Sequence, residues 1–306
     1  MVGEAAWPPV GVAPHETGLH WREPEAYVSG RPATARSPTE HPVEYSSQMR
    51  TVRTVERALA LLRTIAASPS PMTFGELHRT SGLPKASVHN LLSTLEVTGF
   101  VVRDENSRYS VGLAAFEVGS AHPVRTGLLR LAAPILRDLV RRHNETCHLG
   151  ILDHGDVLYV ERLESTQPVR LTTATGRRVT AHATGIGKAL LSLLPDQDVK
   201  RLYPDGLPAP ITTDTISGMP ALLRDLAETR RRGYSIDNEE STPGVRCAGS
   251  AVSAPGWPGV GISLAVPLQR APDERITDLG TDVRAAAIAL GDRLREVRTG
   301  MVDLPI

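Results

Sequence analysis

The sequence predicts an α+β chain in two folded parts, a small helical unit closed by a hairpin and a larger unit built on a mainly antiparallel sheet. Three observations predict it. Helical periodicity sets in abruptly just after residue 48. Two short helical runs punctuated by glycine and proline are then followed by a pair of strand-like runs. Beyond residue 125, strands come in hairpin-like pairs between helices instead of in strict strand–helix–strand order. At 306 residues the chain is long enough for about two domains of ~150 residues each.

Residues 1–48 read as a disordered tail. Pro8, Pro9, Pro14, Pro24, Pro32, Pro38 and Pro42 are scattered through it without a period of 2 or 3.6, and Trp7, Trp21 and Tyr27 are too few to build a core. Met49 is an alternative start, since the folded pattern begins immediately after it.

Val55, Leu59, Leu62, Ile65 and Ala66 recur at helical spacing behind Thr54, a plausible N-cap, and Ser68-Pro69-Ser70-Pro71 ends that helix. A short helix follows over 73–80, capped by Thr73. Ser81-Gly82-Leu83 turn the chain, and Pro84 opens a third helix where its missing N–H costs nothing. Gly99 stops that helix. Residues 100–111 read as two strands around Asp104-Glu105-Asn106-Ser107. Helix, helix, turn, helix, hairpin is the order of a winged helix-turn-helix, placed at 49–111, with a linker helix in 112–124.

The larger unit, 125–300, opens with an amphipathic helix over 125–143. Strand-like runs follow at 146–152, 156–163 and 169–175. A helix opens near Thr184, with others near 196–203 and 219–232. Strands at 234–238, 247–253 and 260–266 precede a helix over 274–298.

Composition bounds the function. The formal net charge is zero, so any affinity for nucleic acid must come from a local basic face. Residues 50–110 carry eight Lys/Arg against five Asp/Glu. Cys147 and Cys247 stand too far apart for a disulfide scaffold or a cysteine-rich zinc module, and such usage suits a reducing cytoplasm. No run reaches the ~18–20 apolar residues of a membrane span. The histidines show no paired ligand spacing with the cysteines, so neither a metal nor another cofactor is expected. An enzyme with Cys247 as nucleophile and His148 or His182 as base would lack a third orienting group, and no catalytic residue is assigned.

On the third helix Val88, Leu91, Leu92 and Leu95 form one apolar stripe. Lys85, Ala86, Ser87, His89 and Asn90 lie off it in the first two turns, the end from which a recognition helix reads base edges. Asn90 can bond adenine through both atoms of its carboxamide, and Lys85 suits a phosphate. Arg103 and Arg108 flank the wing turn and can follow the DNA backbone. The expected partner is double-stranded operator DNA.

The segment "HATGIGKALL" (182–191) places two glycines at a loop-to-helix transition. After Thr184, the N–H groups of Gly185, Ile186 and Gly187 are left open to a carboxylate. A nucleotide reading of Gly187-Lys188 fails. A Walker loop needs glycine where His182 stands and Ser/Thr where Ala189 stands. Cys147 begins the alternating run "CHLGIL" and reads as core.

Taken with "TVERALALL" (54–62), "SGLPKASVHNLLSTLEVTGFV" (81–101), "YSVGLAAFEVG" (109–119), "RGYSIDNEESTPGVRC" (232–247) and "GISLAV" (261–266), that segment makes roughly residues 51–300 resemble the IclR family of transcription regulators. The resemblance implies a winged helix-turn-helix, a GAF-like effector domain, and dimers or tetramers acting at palindromic operators under the control of a small molecule. It implies a cytoplasmic regulator, a repressor among the family's usual roles, with no membrane partner. It marks Asp237 and Cys247 as effector-contacting positions; Thr184, Gly185, Ile186 and Ser263 join them as candidate effector contacts, with Val245, Leu171 and Ile262 as candidate apolar wall. Two departures stand out. Asn90 occupies a position where the family commonly carries arginine. The last core strand reads Ser263-Leu264-Ala265-Val266, which lacks the family's second serine hydroxyl. A rival reading is a constitutive DNA-binding protein whose larger domain only oligomerises.

Overall fold

A computed structural model describes residues 51–122, 127–171, 173–254, 257 and 259–298. The tail expected over 1–48, and the opening turn of the helix expected from residue 125, lie outside or at the edge of these described residues.

The first part runs α1 (Arg53–Ala67), β1 (Met72–Thr73), α2 (Phe74–Ser81), α3 (Lys85–Val97), β2 (Val101–Arg103), β3 (Arg108–Val111) and α4 (Leu113–Ser120). Thr73 caps α2 as expected and does more. Its side chain accepts from the Glu76 amide while the Glu76 carboxylate accepts from the Thr73 amide, so two orphan donors are satisfied at once. Gly82 ends α2 at φ 63°, a left-handed position that suits glycine. Pro84 becomes the N-cap of α3. Leu61, Ile65 and Leu77 pack against Val88, Leu92 and Leu95 of α3, with Val101 and Tyr109 of the hairpin closing the core. The wing is three-stranded, in order β1-β3-β2, because Met72 and Thr73 pair with Tyr109 and Arg108.

Two expectations for α1 are corrected. The helix starts at Arg53 behind Val52, so Thr54 is inside it and caps nothing. Val55 and Leu59 face outward, each 53% exposed, while Leu61 and Ile65 carry the core contact.

The second part contains α5 (Leu129–His143), β4 (Thr146–Asp153), β5 (Asp156–Leu163), β6 (Arg178–Thr180), α6 (Gly185–Leu191), α7 (Asp196–Leu202), α8 (Met219–Arg232), β7 (Ser235–Asn238), β8 (Val245–Val252), β9 (Val260–Pro267) and α9 (Asp273–Arg298). The six strands form one sheet, β6-β5-β4-β9-β8-β7, with every neighbouring pair antiparallel. Strand alternation divides its faces. Cys147, Leu149, Ala248, Ile262 and Leu264 meet Leu136 and Leu139 of α5 and Leu279, Val283 and Leu290 of α9. On the other face Val157 and Tyr159 meet Ile186 and Leu190 of α6, Val199 of α7 and Leu222 and Leu226 of α8. Cys147 is core, as its alternating run implied.

None of the described residues in the run at 169–175 is in a strand. The sheet edge is taken by β6, and Ser165 and Thr166 are tied to the residue that ends α5 by side-chain bonds. Ser165 donates to the Asn144 carbonyl, and the Thr166 amide donates to the Asn144 side chain at 2.9 Å.

Candidate functional site

On the α6 face of the sheet, a cavity of about 810 Å³ opens among β4, β5, β8, β9, the start of α6 and the loop after β7. Its position follows from small residues. An ideal Cβ on Gly249 would come within 2.5 Å of the Gly185 carbonyl carbon, so glycine there lets α6 lie directly on the sheet, and one on Gly187 would come within 2.3 Å of Ala181, so glycine there lets the helix fold tightly against the turn that precedes it.

Thr184, Gly185, Ile186, Asp237, Val245, Cys247 and Ser263 all line this one cavity. Residues separated by up to eighty positions in sequence are thereby brought to a single wall. Leu171 lines it as well. Ile262 does not. It sits one residue out of phase with Ser263 and faces α5 and α9 on the opposite side of the sheet.

The donors at the start of α6 are partly used. Thr184 caps the helix by accepting from the Gly187 amide at 3.2 Å, so Gly187 is not open to a ligand. The Gly185 and Ile186 amides have no acceptor among the described residues. A helix of seven residues has a small dipole, so these two N–H groups themselves are what the wall offers an anion.

Asp237 is fully buried and already committed. It accepts from the Glu240 amide at 2.8 Å and the Ser241 hydroxyl at 2.6 Å, which shapes the loop that forms one side of the cavity. Burial raises its pKa against those bonds. Directly across the β7–β8 ladder, Cys247 stands opposite Asp237. Burial and this carboxylate hold the thiol protonated, the reverse of what a nucleophilic cysteine requires.

Several residues that sequence reasoning did not assign to the effector site also gather here. His148 and Tyr159 stack with centroids 4.5 Å apart along one wall. The His148 Nε2 contacts the Thr173 hydroxyl at 2.7 Å, and burial and then Arg162 lower its pKa to about 4, so the ring is neutral near pH 7. Arg177 stands at the mouth. Beneath the loop, the buried Lys188 ammonium pairs with Glu240 at 2.5 Å and Asp225 at 3.4 Å. Burial pushes the Glu240 carboxyl up to about 7 against the pull of Lys188. The one sequence signal for this pair was a lysine embedded in the apolar run "GIGKALL". His182 is buried beside it, edge-on to Tyr203.

On α3, Lys85, Ala86, His89 and Asn90 are exposed and Ser87 is half-buried, while Val88, Leu91, Leu92 and Leu95 are buried. Arg103 lies over the Tyr109 ring, 5.7 Å from its centroid, and donates to Ser107. Arg108 donates to the Pro71 carbonyl at 3.2 Å. Both guanidiniums are at the exposed wing, with donors to spare.

No group of three or more metal-ligating side chains occurs among the described residues, and none of their helices is long and apolar enough to cross a membrane. The model of the IclR helix-turn-helix domain matches residues 54–105, and that of the bacterial transcriptional regulator IclR C-terminal domain matches 122–291. The chain is 37% identical over 241 residues to the acetate operon repressor of Salmonella typhimurium, covering 77% of this chain and 88% of the relative. It is 36% identical, with the same coverage, to the transcriptional repressor IclR of Escherichia coli K12. The crystal structure of Thermotoga maritima IclR superposes with a TM-score of 0.64 at 27% identity, over 79% of this chain and 99% of that one. An IclR homologue from Microbacterium hydrocarbonoxydans complexed with 4-hydroxybenzoate shares the fold, with a TM-score of 0.68 at 23% identity over 79% and 99% of the two chains. Motifs, fold and relatives agree: the chain belongs to the IclR family of DNA-binding transcriptional regulators.

Proposed function

We propose that the chain is a cytoplasmic regulator that binds a palindromic operator as a dimer or tetramer and is controlled by a small carboxylate-bearing metabolite held in the second-part cavity. The observation that carries the reading is the convergence of Thr184, Gly185, Ile186, Asp237, Val245, Cys247 and Ser263 on one cavity. That wall offers the Gly185 and Ile186 amides to a carboxylate, and the Ser263 hydroxyl to a second polar group. The 4-hydroxybenzoate complex of the Microbacterium hydrocarbonoxydans homologue makes that acid a natural probe.

The domain division that goes with this reading is a winged helix-turn-helix over 49–111, a linker over 112–124 and an effector domain over 125–300. Apolar side chains left in solvent support assembly. Val55 and Leu59 on α1 are each 53% exposed, and Leu113, Phe116 and Val118 on α4 are 69%, 54% and 65% exposed. Such faces mark interaction surfaces. A dimer would present two α3 helices to half-sites one DNA turn apart, ~34 Å. An effector that favours one arrangement of subunits shifts DNA affinity by its differential affinity for the two arrangements.

DNA contact is assigned to Lys85, Ala86, Ser87, His89 and Asn90, with Arg103 and Arg108 on the backbone. Asn90→Ala is expected to weaken operator binding by ~1–3 kcal/mol and to relax sequence preference at one position per half-site. Lys85→Ala should instead weaken binding to all sequences and flatten the salt dependence by about one unit. Anisotropy titrations on operator and scrambled duplexes at several salt concentrations separate the two. Wild-type affinity and preference in Asn90→Ala would remove α3 from the role of reader.

A further inference from the structure

The mouth of the cavity carries a polar pair that the effector reading does not use. Tyr159 is 7% exposed and lines the cavity, and its hydroxyl makes no hydrogen bond to a described residue. The Tyr159 amide donates to the Arg177 carbonyl at 3.0 Å, which continues the β5–β6 register of Val157 with Val179 and Leu158 with Arg178. Residues opposite each other across a ladder share a face. Arg177 therefore shares a face with Tyr159, while Arg178, which also borders the cavity, alternates with it opposite Leu158.

The charge pattern agrees. Arg178 is paired with Asp153, and Arg170 with Glu164 at 3.2 Å. Arg177 has no acidic partner among the described residues and is near enough to act on the Tyr159 phenol, whose pKa burial, Cys247 and Asp237 raise against it. The carboxylate that lines the cavity among the described residues, Asp237, is buried and already committed to its own loop. An uncompensated guanidinium and an open phenol thus line the cavity together, where an anion finds two donors.

Size points the same way. A cavity of about 810 Å³ falls in the ~300–1,000 Å³ range of sites for drug-sized ligands. A two- or three-carbon acid would leave most of it empty. We infer that Arg177 and Tyr159 form a second anion subsite, so that the effector is an elongated acid with two anionic groups, a dicarboxylate in its simplest form. This rests on the proposal that the first carboxylate meets the Gly185 and Ile186 amides.

The test is calorimetric titration of the full chain with succinate, glutarate, adipate and pimelate against monocarboxylates of equal chain length, repeated in Arg177→Gln and Tyr159→Phe. Arg177 is exposed, so its variant should keep the wild-type Tm. At the best-fitting length the dicarboxylate should bind at least ~10-fold more tightly than its monocarboxylate partner, as a charge-assisted contact provides. Arg177→Gln should reduce that ratio to about two, and Tyr159→Phe should reduce it in part. Equal binding of both series, unchanged by Arg177→Gln, would overturn the second subsite and leave the carboxylate reading standing. Binding of neither series would overturn both.

Discussion

Lys188→Met is expected to destabilise the protein by about 3–5 kcal/mol, the cost of breaking a buried ion pair from one side. Methionine fills the space of the lysine stem but leaves the Glu240 carboxylate, 6% exposed, without its cation. Asp225, the second partner at 3.4 Å, keeps more access to solvent and should matter less. The expected result is a fall in the urea midpoint with an unchanged slope. The double variant Lys188→Met with Glu240→Leu should recover much of the loss, because replacing both members of a buried pair is often nearly neutral. Glu240 also accepts through its backbone from Thr215, so the loop keeps one tie in that variant. A single variant within 1 kcal/mol of wild type would show that the pair is not what holds the loop over the cavity.

Gly249→Ala is the second large effect, and it strikes function as well as stability. The added methyl would stand 2.5–2.7 Å from the backbone of Gly185 and Ile186, which no rotamer change can relieve. Overpacking of this kind costs ~1–3 kcal/mol. Here it must also push the start of α6 off the sheet, carrying the two open amides with it. Thermal stabilisation by an acid, which follows mass action on the folded state, should be lost even where the variant remains folded. Gly75 is the internal control, since a Cβ there meets nothing within 4 Å and alanine suits the α2 helix. An unchanged acid response in Gly249→Ala would place the ligand away from α6.

What the sequence revealed depended on how local the signal was. Thr73, Gly82, Pro84 and Gly99 announce the turns of the winged unit through backbone constraints that act within a few residues. The motifs around Thr184, Asp237, Cys247 and Ser263 were readable as a set through the family resemblance, and the fold brings them to one wall. Pairing across distance was not readable. The stripe containing Val55 and Leu59 was identified as helical, but periodicity does not say which apolar face meets the core. Ile262 was placed on the wrong side because strand parity is fixed by register with β4, where His148 opposes Ser263. The run at 169–175 alternates like a strand, yet bonds from Ser165 and Thr166 to Asn144 decide its path. His148, Tyr159 and Arg177 become neighbours only through the β4–β5–β6 register, and Lys188 meets Glu240 fifty-two residues away.

The central claim is that occupancy of the cavity changes grip on DNA. The most direct measurement is an anisotropy titration of the full chain onto the DNA upstream of its own gene and onto a scrambled duplex, with and without 4-hydroxybenzoate and the dicarboxylate series. The account predicts preference for the upstream DNA at every salt concentration, and a several-fold change in its Kd caused by an acid that also raises the Tm. An acid that raises the Tm while leaving the Kd unchanged would contradict it, and would make the larger domain an assembly module instead of a sensor.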